Sequence, residues 1–259
     1  MHTIVAQHPI APLALALLLL VAGCDNAQHP TVTIAGAASM AEVLLSLDTI
    51  AGSAGTGPHI TVTSGASNVL ARAIREGAPY DILVSLDPAI VAELGRDGFL
   101  DPTTTREIAR NRLVVASKVV PDTIYTSFDF LYNARRIAIG SEGVPLRTYT
   151  EQALRRAGVW DSLLPRFVHG ADARQVAEMV RNGDVDAGIL YASDAQQRRL
   201  GVLYAIPGEL HRPVRIVAAA TTLGAQRSEV QQTMNLLLGH GVRERLVQRG
   251  FTVAAPQDR

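Results

Sequence analysis

The alternation of short β-branched segments with amphipathic helical segments constrains the fold of this chain most strongly. Strand patterns at 31–35 and 59–63 each pass through a turn of small residues into a helical pattern, and the same plan continues along the chain. Further strands are predicted at 82–84, 112–116, 135–139, 187–190 and 214–219, with helices at 40–52, 67–76, 88–95, 146–157, 173–181 and 229–248. This order predicts an α/β protein with largely parallel sheets.

Composition excludes several classes of partner and of site. The 259 residues contain 24 Lys+Arg and 24 Asp+Glu, so there is no basic excess of the kind that usually meets nucleic acid. Hydrophobic residues make up 47% of the chain, which is ample for a sizeable core. The single cysteine, Cys24, excludes an intramolecular disulfide and a cysteine-based metal cluster.

The N-terminal segment is predicted to be a signal peptide covering residues 1–23. Leu13–Ala22 is an uninterrupted apolar run of ten residues, and such a helix spans about 15 Å, too short for a bilayer. Val21-Ala-Gly-Cys24 resembles the bacterial lipobox, in which the cysteine is lipidated and becomes the new N-terminus. We therefore expect a lipid anchor on Cys24 and a tether over 24–30, with a soluble secretory signal as the alternative.

Motifs of common enzymes are missing from the sequence. There is no G-x-S-x-G elbow, no G-x-x-x-x-G-K-[ST] loop and no G-x-G-x-x-G. The seven histidines are scattered, with no pair at a spacing of three or four residues. A serine hydrolase that uses Ser39 or Ser193 stays a distant alternative.

Small or hydroxyl-bearing turns recur where predicted strands run into helices. Ser39 begins an S-x-x-E capping box, Ser67 occupies the equivalent place in the second unit, and Asp172 begins a D-x-x-Q cap. Pro145 is suited to the first turn of another helix. Free N–H groups at helix starts bind anions, and α/β folds collect such turns at the carboxyl ends of their strands. An anion is therefore the expected ligand.

The residues also match a known family in several ordered segments. The chain resembles the molybdate-binding proteins of bacterial ABC uptake systems, which have the type 2 periplasmic-binding-protein fold. The matching segments are VTIAGAAS at 32–39, LARAIREGAP at 70–79 with Asp81, LVVASK at 113–118, WDSL at 160–163, GILYASD at 188–194 and RGFT at 249–252. The resemblance implies two lobes with mixed, mostly parallel sheets, flanking helices and a hinge. We expect one lobe from 30–111 plus 214–259 and the other from 112–213.

The resemblance also implies a ligand site and a function without catalysis. Carried over, the family's oxyanion donors are the hydroxyls of Ser39, Ser67 and Tyr191 and the backbone N–H groups of Leu146 and Ala173. Molybdenum would be present only within the bound oxyanion, with no direct protein ligand to the metal and no other cofactor. The implied partners are an ABC permease and its ATPase in the inner membrane, and the protein is expected to be a monomer on the periplasmic side.

The donor types fit an unprotonated tetrahedral dianion such as molybdate or tungstate. A pocket of donors leaves the O–H of phosphate unpaired, which penalises phosphate. Sulfate has the same charge and shape as molybdate, so sulfate or a small organic anion stays an open alternative. The stretch 140–149 departs from the family pattern, with Leu146-Arg147 after Val144-Pro145 and a loop one residue shorter. A changed pocket volume is expected from this departure, and Arg147 is expected on the solvated start of the helix.

Overall fold

The protein is described from a computed structural model, which covers residues 30–53, 57–120 and 122–253. The predicted signal peptide at 1–23, the lipidation site Cys24 and the tether up to residue 29 lie outside these residues. Within the described ranges, no helix has both the length and the apolar character needed to cross a membrane.

Two five-stranded sheets, each with its own helices, form two lobes. The first lobe contains β1 (Thr31–Ala37), β2 (His59–Gly65), β3 (Ile82–Ser85), β4 (Arg106–Asn111) and β10 (Val214–Ala220) in the spatial order β2-β1-β3-β10-β4. Its helices are α1 (Ala41–Ser53), α2 (Ser67–Arg75), α3 (Pro88–Arg96), α8 (Ser228–Leu238) and α9 (His240–Gln248).

The second lobe repeats this arrangement. It contains β5 (Leu113–Ser117), β6 (Ile137–Gly140), β7 (Phe167–Gly170), β8 (Ala187–Tyr191) and β9 (Gly201–Ala205) in the order β7-β6-β8-β5-β9. Its helices are α4 (Pro145–Arg156), α5 (Trp160–Leu163), α6 (Ala173–Asn182) and α7 (Ala192–Gln197). The predicted two-lobed α/β architecture is thereby confirmed.

Both sheets are mixed, with more antiparallel pairing than strand–helix alternation predicts. Strands β1, β2 and β3 run parallel to one another, as do β6, β7 and β8. Strand β10 is antiparallel to β3 and β4, and β5 is antiparallel to β8 and β9. The antiparallel strands are those next to the two chain crossings between lobes, at Arg112 and at 206–213, so no crossover helix imposes a parallel direction on them.

The core of the first lobe shows why its central strands are apolar on both faces. Ile34 and Val84 pack into a cluster with α1 and α8, whereas Ala35 and Leu83 pack into a separate cluster with α2 and α3. Successive side chains of a strand point to opposite faces, so a sheet covered by helices on both sides needs continuous apolar strands. This burial fixes the register of the strands that lead to the site.

Several local predictions were wrong, among them one helix and one cap in the first lobe. The expected helix 229–248 is divided into α8 and α9 at Gly239, whose extended backbone (φ −67°, ψ 158°) interrupts the helix. Ser39 does not cap a helix, because it lies within a 3-10 turn at Ala38–Met40 that leads into α1. Its hydroxyl makes a different contact, described below.

Candidate functional site

The turns that follow the parallel strands of both lobes face one another across a cavity. Ser39, Ser67 and Leu86 follow the carboxyl ends of β1, β2 and β3, and Leu146 and Ala173 follow those of β6 and β7. The cavity is small, with a volume of about 20 Å³, and Tyr191 at the end of β8 completes its wall. Its other lining residues are Ala37, Ala38, Gly65, Ala66, Val144, Pro145 and Asp172. All five residues proposed as oxyanion donors therefore line one cavity.

Ser67 is placed so that its hydroxyl hydrogen is available to a ligand. It is the first residue of α2 and is 2% exposed, and its Oγ accepts a hydrogen bond from the backbone N–H of Leu86 at 3.3 Å. The sequence pattern predicts an N-cap at Ser67, but Ala66 holds that position. The bond from the Leu86 N–H uses one lone pair of the oxygen, so the hydroxyl hydrogen can still be donated to a ligand.

Ser39 connects the two lobes through a buried hydrogen bond. Its Oγ lies 2.7 Å from Oδ2 of Asp194 on α7, and both residues are buried. Burial raises the pKa of Asp194 to about 6, although the Ser39 hydroxyl and Arg198 favour the ionised form. A second oxygen of the same carboxyl group, Oδ1, lies 3.6 Å from the Arg198 guanidinium.

Tyr191 brings an unpartnered polar atom to the site. Its side chain is 2% exposed, and within the described residues its hydroxyl has no hydrogen-bond partner. Burial, followed by the nearby Tyr149, Asp194 and Asp87, raises the pKa of Tyr191 well above its usual value, so the hydroxyl keeps its proton. A buried hydroxyl without a partner is costly, and a ligand oxygen in the cavity would satisfy it.

Two helix N-termini direct backbone N–H groups at the cavity. Pro145 begins α4, so the N–H of Leu146 lies in the first turn, where no intrahelical acceptor exists. The same holds for Ala173, the first residue of α6. Asp172 caps that helix as predicted, because its carboxylate accepts from the N–H of Gln175 at 2.8 Å. This leaves the N–H of Ala173 free for a ligand.

The lobes also meet beside the cavity through Tyr149 on α4. Its hydroxyl donates to the backbone carbonyl oxygen of Leu86 at 2.9 Å, and this bond is buried. Burial and the nearby Asp87 raise the pKa of Tyr149, so this hydroxyl also stays protonated. The bond joins the turn after β3 to the helix that supplies Leu146, and it holds the two walls together.

No arginine side chain of the described ranges lines the cavity. Arg147, next to Leu146, packs over the Trp160 ring at 4.5 Å from its centroid and pairs with Glu151 at 3.4 Å. Its side chain is 18% exposed, so it is partly buried against its neighbours and not solvated as predicted. The attraction for an anion therefore comes from hydroxyl and peptide dipoles.

Among the described residues, neither serine considered for a hydrolase is hydrogen-bonded to an imidazole. The hydroxyl of Ser39 is paired with Asp194, and that of Ser193 accepts from Nδ2 of Asn111 at 2.7 Å. In the described part of the chain, no cluster of three or more His, Cys, Asp or Glu side chains is arranged to hold a metal ion.

The contact between Asp194 and Ser39 was not predicted from the sequence. Asp194 was quoted as part of the GILYASD segment without a role, and it is separated from Ser39 by 155 positions. A buried carboxyl three residues after a site tyrosine carries no local pattern that would reveal its partner.

The site can therefore accept an unprotonated tetrahedral anion. It presents three hydroxyls and two helix-start N–H groups. Charge-assisted hydrogen bonds from such donors are the strong ones, so a dianion gains most from this arrangement.

The chain is similar to curated solute-binding proteins over nearly its whole length. It is 29% identical to the molybdate-binding protein ModA of Escherichia coli, over 92% of this chain and 95% of that protein. It is 28% identical to a putative ABC transporter substrate-binding lipoprotein, YvgL, of Bacillus subtilis, with the same shares covered.

Solved structures show the same fold. The periplasmic molybdate-binding protein of Azotobacter vinelandii superposes with a TM-score of 0.77 at 23% identity, covering 87% of this chain and all of that one. The sulfate-binding protein SubI of Mycobacterium tuberculosis superposes with a TM-score of 0.72 at 16% identity, covering 88% of each chain. A family model described as bacterial extracellular solute-binding protein matches residues 32–252. The chain belongs to this family of bacterial extracellular solute-binding proteins.

Proposed function

We propose that the protein is the substrate-binding component of an ABC importer and that it captures molybdate or tungstate between its lobes. The observation that carries this proposal is the convergence of five donors on one cavity without a lining arginine or lysine. Two relatives with more than nine-tenths of this chain aligned support the ligand class and the transport role, since one is named molybdate-binding and the other an ABC transporter lipoprotein.

In this proposal, the hydroxyls of Ser39, Ser67 and Tyr191 and the N–H groups of Leu146 and Ala173 donate to the oxygens of the anion. The lobes correspond to 30–111 with 214–259 and to 112–213, and they close around the anion by bending at the two crossings. The protein carries out no chemistry on its ligand, which it releases unchanged to a permease and its ATPase.

We further propose that the protein acts as a monomer on the outer face of the inner membrane. Lipidation of Cys24 after removal of residues 1–23 would hold it there. The lipobox-like segment 21–24 and the lipoprotein among its relatives support this location.

Titration calorimetry on protein lacking residues 1–23 tests the ligand. We expect tight binding of molybdate and tungstate and much weaker binding of phosphate, because the five proposed contacts are all donors and none is an acceptor for its O–H. Sulfate is the informative competitor because it differs from molybdate mainly in size. Tighter binding of sulfate than of molybdate would replace the proposed ligand, and binding of no oxyanion would overturn the proposal.

Serine variants test the site within the same experiment. Removing the hydroxyl in Ser67→Ala should weaken molybdate binding by about 1–3 kcal/mol, which is the usual cost of losing a buried bond to a charged group. Ser46→Ala is the matched control, because the Ser46 hydroxyl bonds only to the Val43 carbonyl on α1. Equal losses in the two variants would contradict the assignment of Ser67.

A further inference from the structure

At the proposed anion site, the single hydroxyl hydrogen of Ser39 has two possible acceptors, the Asp194 carboxyl group and the anion. The Ser39 hydroxyl carries one hydrogen and lies 2.7 Å from the Asp194 carboxyl group. If Asp194 is ionised, it can only accept, so the hydroxyl hydrogen must point at it. Ser39 would then present only oxygen lone pairs to the cavity, and a dianion there would be repelled.

A proton on Asp194 removes this conflict. A neutral carboxyl group can donate its O–H to Ser39 Oγ, which frees the Ser39 hydrogen to donate to an anion oxygen. The chain of bonds then runs from Asp194 through Ser39 to the ligand, with every hydrogen assigned. The two lobes stay connected, because Asp194 is on α7 and Ser39 follows β1.

We propose that anion binding at this site takes up one proton from solvent onto Asp194, which acts as a positioning residue for the Ser39 hydroxyl. This inference rests on the proposed function, because it requires an oxyanion that accepts from Ser39. It makes the affinity of the protein for its ligand dependent on pH in a range where molybdate itself stays a dianion.

The charged groups around Asp194 do not remove the need for the proton. Arg198, on the same helix, lies 3.6 Å from Oδ1 but also pairs with Glu178 of α6 at 3.0 Å. Asp172, the N-cap of α6, raises the pKa of Asp194, whereas Arg174 in α6 lowers it. Strands β5 and β8, which pack against α7, contribute a single titratable side chain, Tyr191, which is protonated.

The energetics favour uptake near neutral pH. Burial already raises the pKa of Asp194 to about 6 without a ligand. A dianion that shares the Ser39 hydroxyl would raise this pKa further, since like charge disfavours ionisation. Asp194 is about half protonated near pH 6 in the free protein, so binding to a form that keeps the proton, as proposed, takes up about half a proton there and close to one proton at pH 7.5.

Calorimetry in buffers of different ionisation enthalpy measures this uptake directly. The wild-type protein should bind molybdate at pH 7.5 with uptake of nearly one proton. Its dissociation constant should rise by a factor approaching ten per pH unit above pH 7. Asp194→Asn keeps a side-chain N–H for Ser39 and should bind with no proton uptake and with a flat pH profile. The control Asp101→Asn, which alters an exposed turn cap in the first lobe, should retain the wild-type uptake.

The outcomes separate the two proposals. Tight molybdate binding by the wild-type protein with no proton uptake at pH 7.5 would overturn the role of Asp194 and leave the proposed function standing. Undiminished uptake in Asp194→Asn would also overturn it. Failure of the wild-type protein to bind any oxyanion would overturn both.

Discussion

Replacing Tyr191 by phenylalanine should change stability and affinity in opposite directions. The substitution deletes one hydroxyl and keeps the ring, which is buried at the end of β8. That hydroxyl has no partner within the described residues, so without ligand its removal relieves a desolvation cost. We expect the free energy of unfolding of the ligand-free protein to rise by about 1 kcal/mol, or about 2–4 °C in melting temperature for a chain of this size.

The same substitution should lower the affinity for the anion. The Tyr191 hydroxyl is a proposed donor to the oxyanion, and a bond from a neutral donor to a charged acceptor contributes about 1.5–3 kcal/mol. The dissociation constant for molybdate should therefore rise by about 10- to 150-fold. Thermal unfolding with and without molybdate, together with calorimetry, measures both effects on one preparation.

Tyr204→Phe is the matched control for this prediction. Tyr204 is largely buried on β9 and packs edge-on against Phe128, outside the cavity. The Tyr204→Phe substitution should leave the affinity for molybdate unchanged. If Tyr191→Phe binds as tightly as the wild type, the hydroxyl is not a ligand. If the ligand-free variant loses more than about 1 kcal/mol of stability, the hydroxyl has a structural partner and the reasoning is refuted.

Three other predictions concern the lobe contact, the buried carboxyl group and the anchor. Tyr149→Phe removes the buried bond to the Leu86 carbonyl and should lower the free energy of unfolding by about 1 kcal/mol in urea unfolding; an unchanged stability would show that this contact between the lobes contributes nothing to the fold. The pKa of Asp194 is about 6 when folded and about 3.9 in model peptides, so its ionised form destabilises the fold above pH 6, and this cost disappears as pH falls from 6 to 4. Asp194→Asn should therefore stabilise the ligand-free protein more at pH 7.5 than at pH 4.5 in urea unfolding, and equal effects at both values would contradict the raised pKa. Cys24→Ala should move the protein from the membrane fraction to the soluble periplasmic fraction, and continued membrane association would contradict lipidation.

Local signals in the sequence were sufficient to predict most central strands and two of the helix starts at the site. The Asp172 cap, the proline at the start of α4 and the glycine after α6 depend on neighbouring residues, and the structure has all three. The strands that were missed, β4, β7 and β9, all lie at sheet edges, where part of each strand is exposed and the apolar pattern is weak.

The features that could not be predicted from the sequence depend on contacts between residues that are distant in the chain. The capping-box pattern at Ser39 is present, but the hydroxyl bonds to Asp194 because lobe packing brings a buried carboxyl group within reach. The antiparallel pairing of β5 and β10 likewise depends on where the chain crosses between lobes. The assembly of the five donor residues was predicted from a resemblance, since no spacing rule connects Ser39 with Tyr191.

Crystallography of the protein with bound tungstate tests the central claim most directly, because tungsten scatters anomalously and marks its own position. The account predicts one strong peak in the cavity. The anion oxygens should lie within hydrogen-bond distance of the hydroxyls of Ser39, Ser67 and Tyr191 and of the N–H groups of Leu146 and Ala173. A peak elsewhere in crystals grown with saturating tungstate, or an anion held by an arginine side chain, would contradict the account.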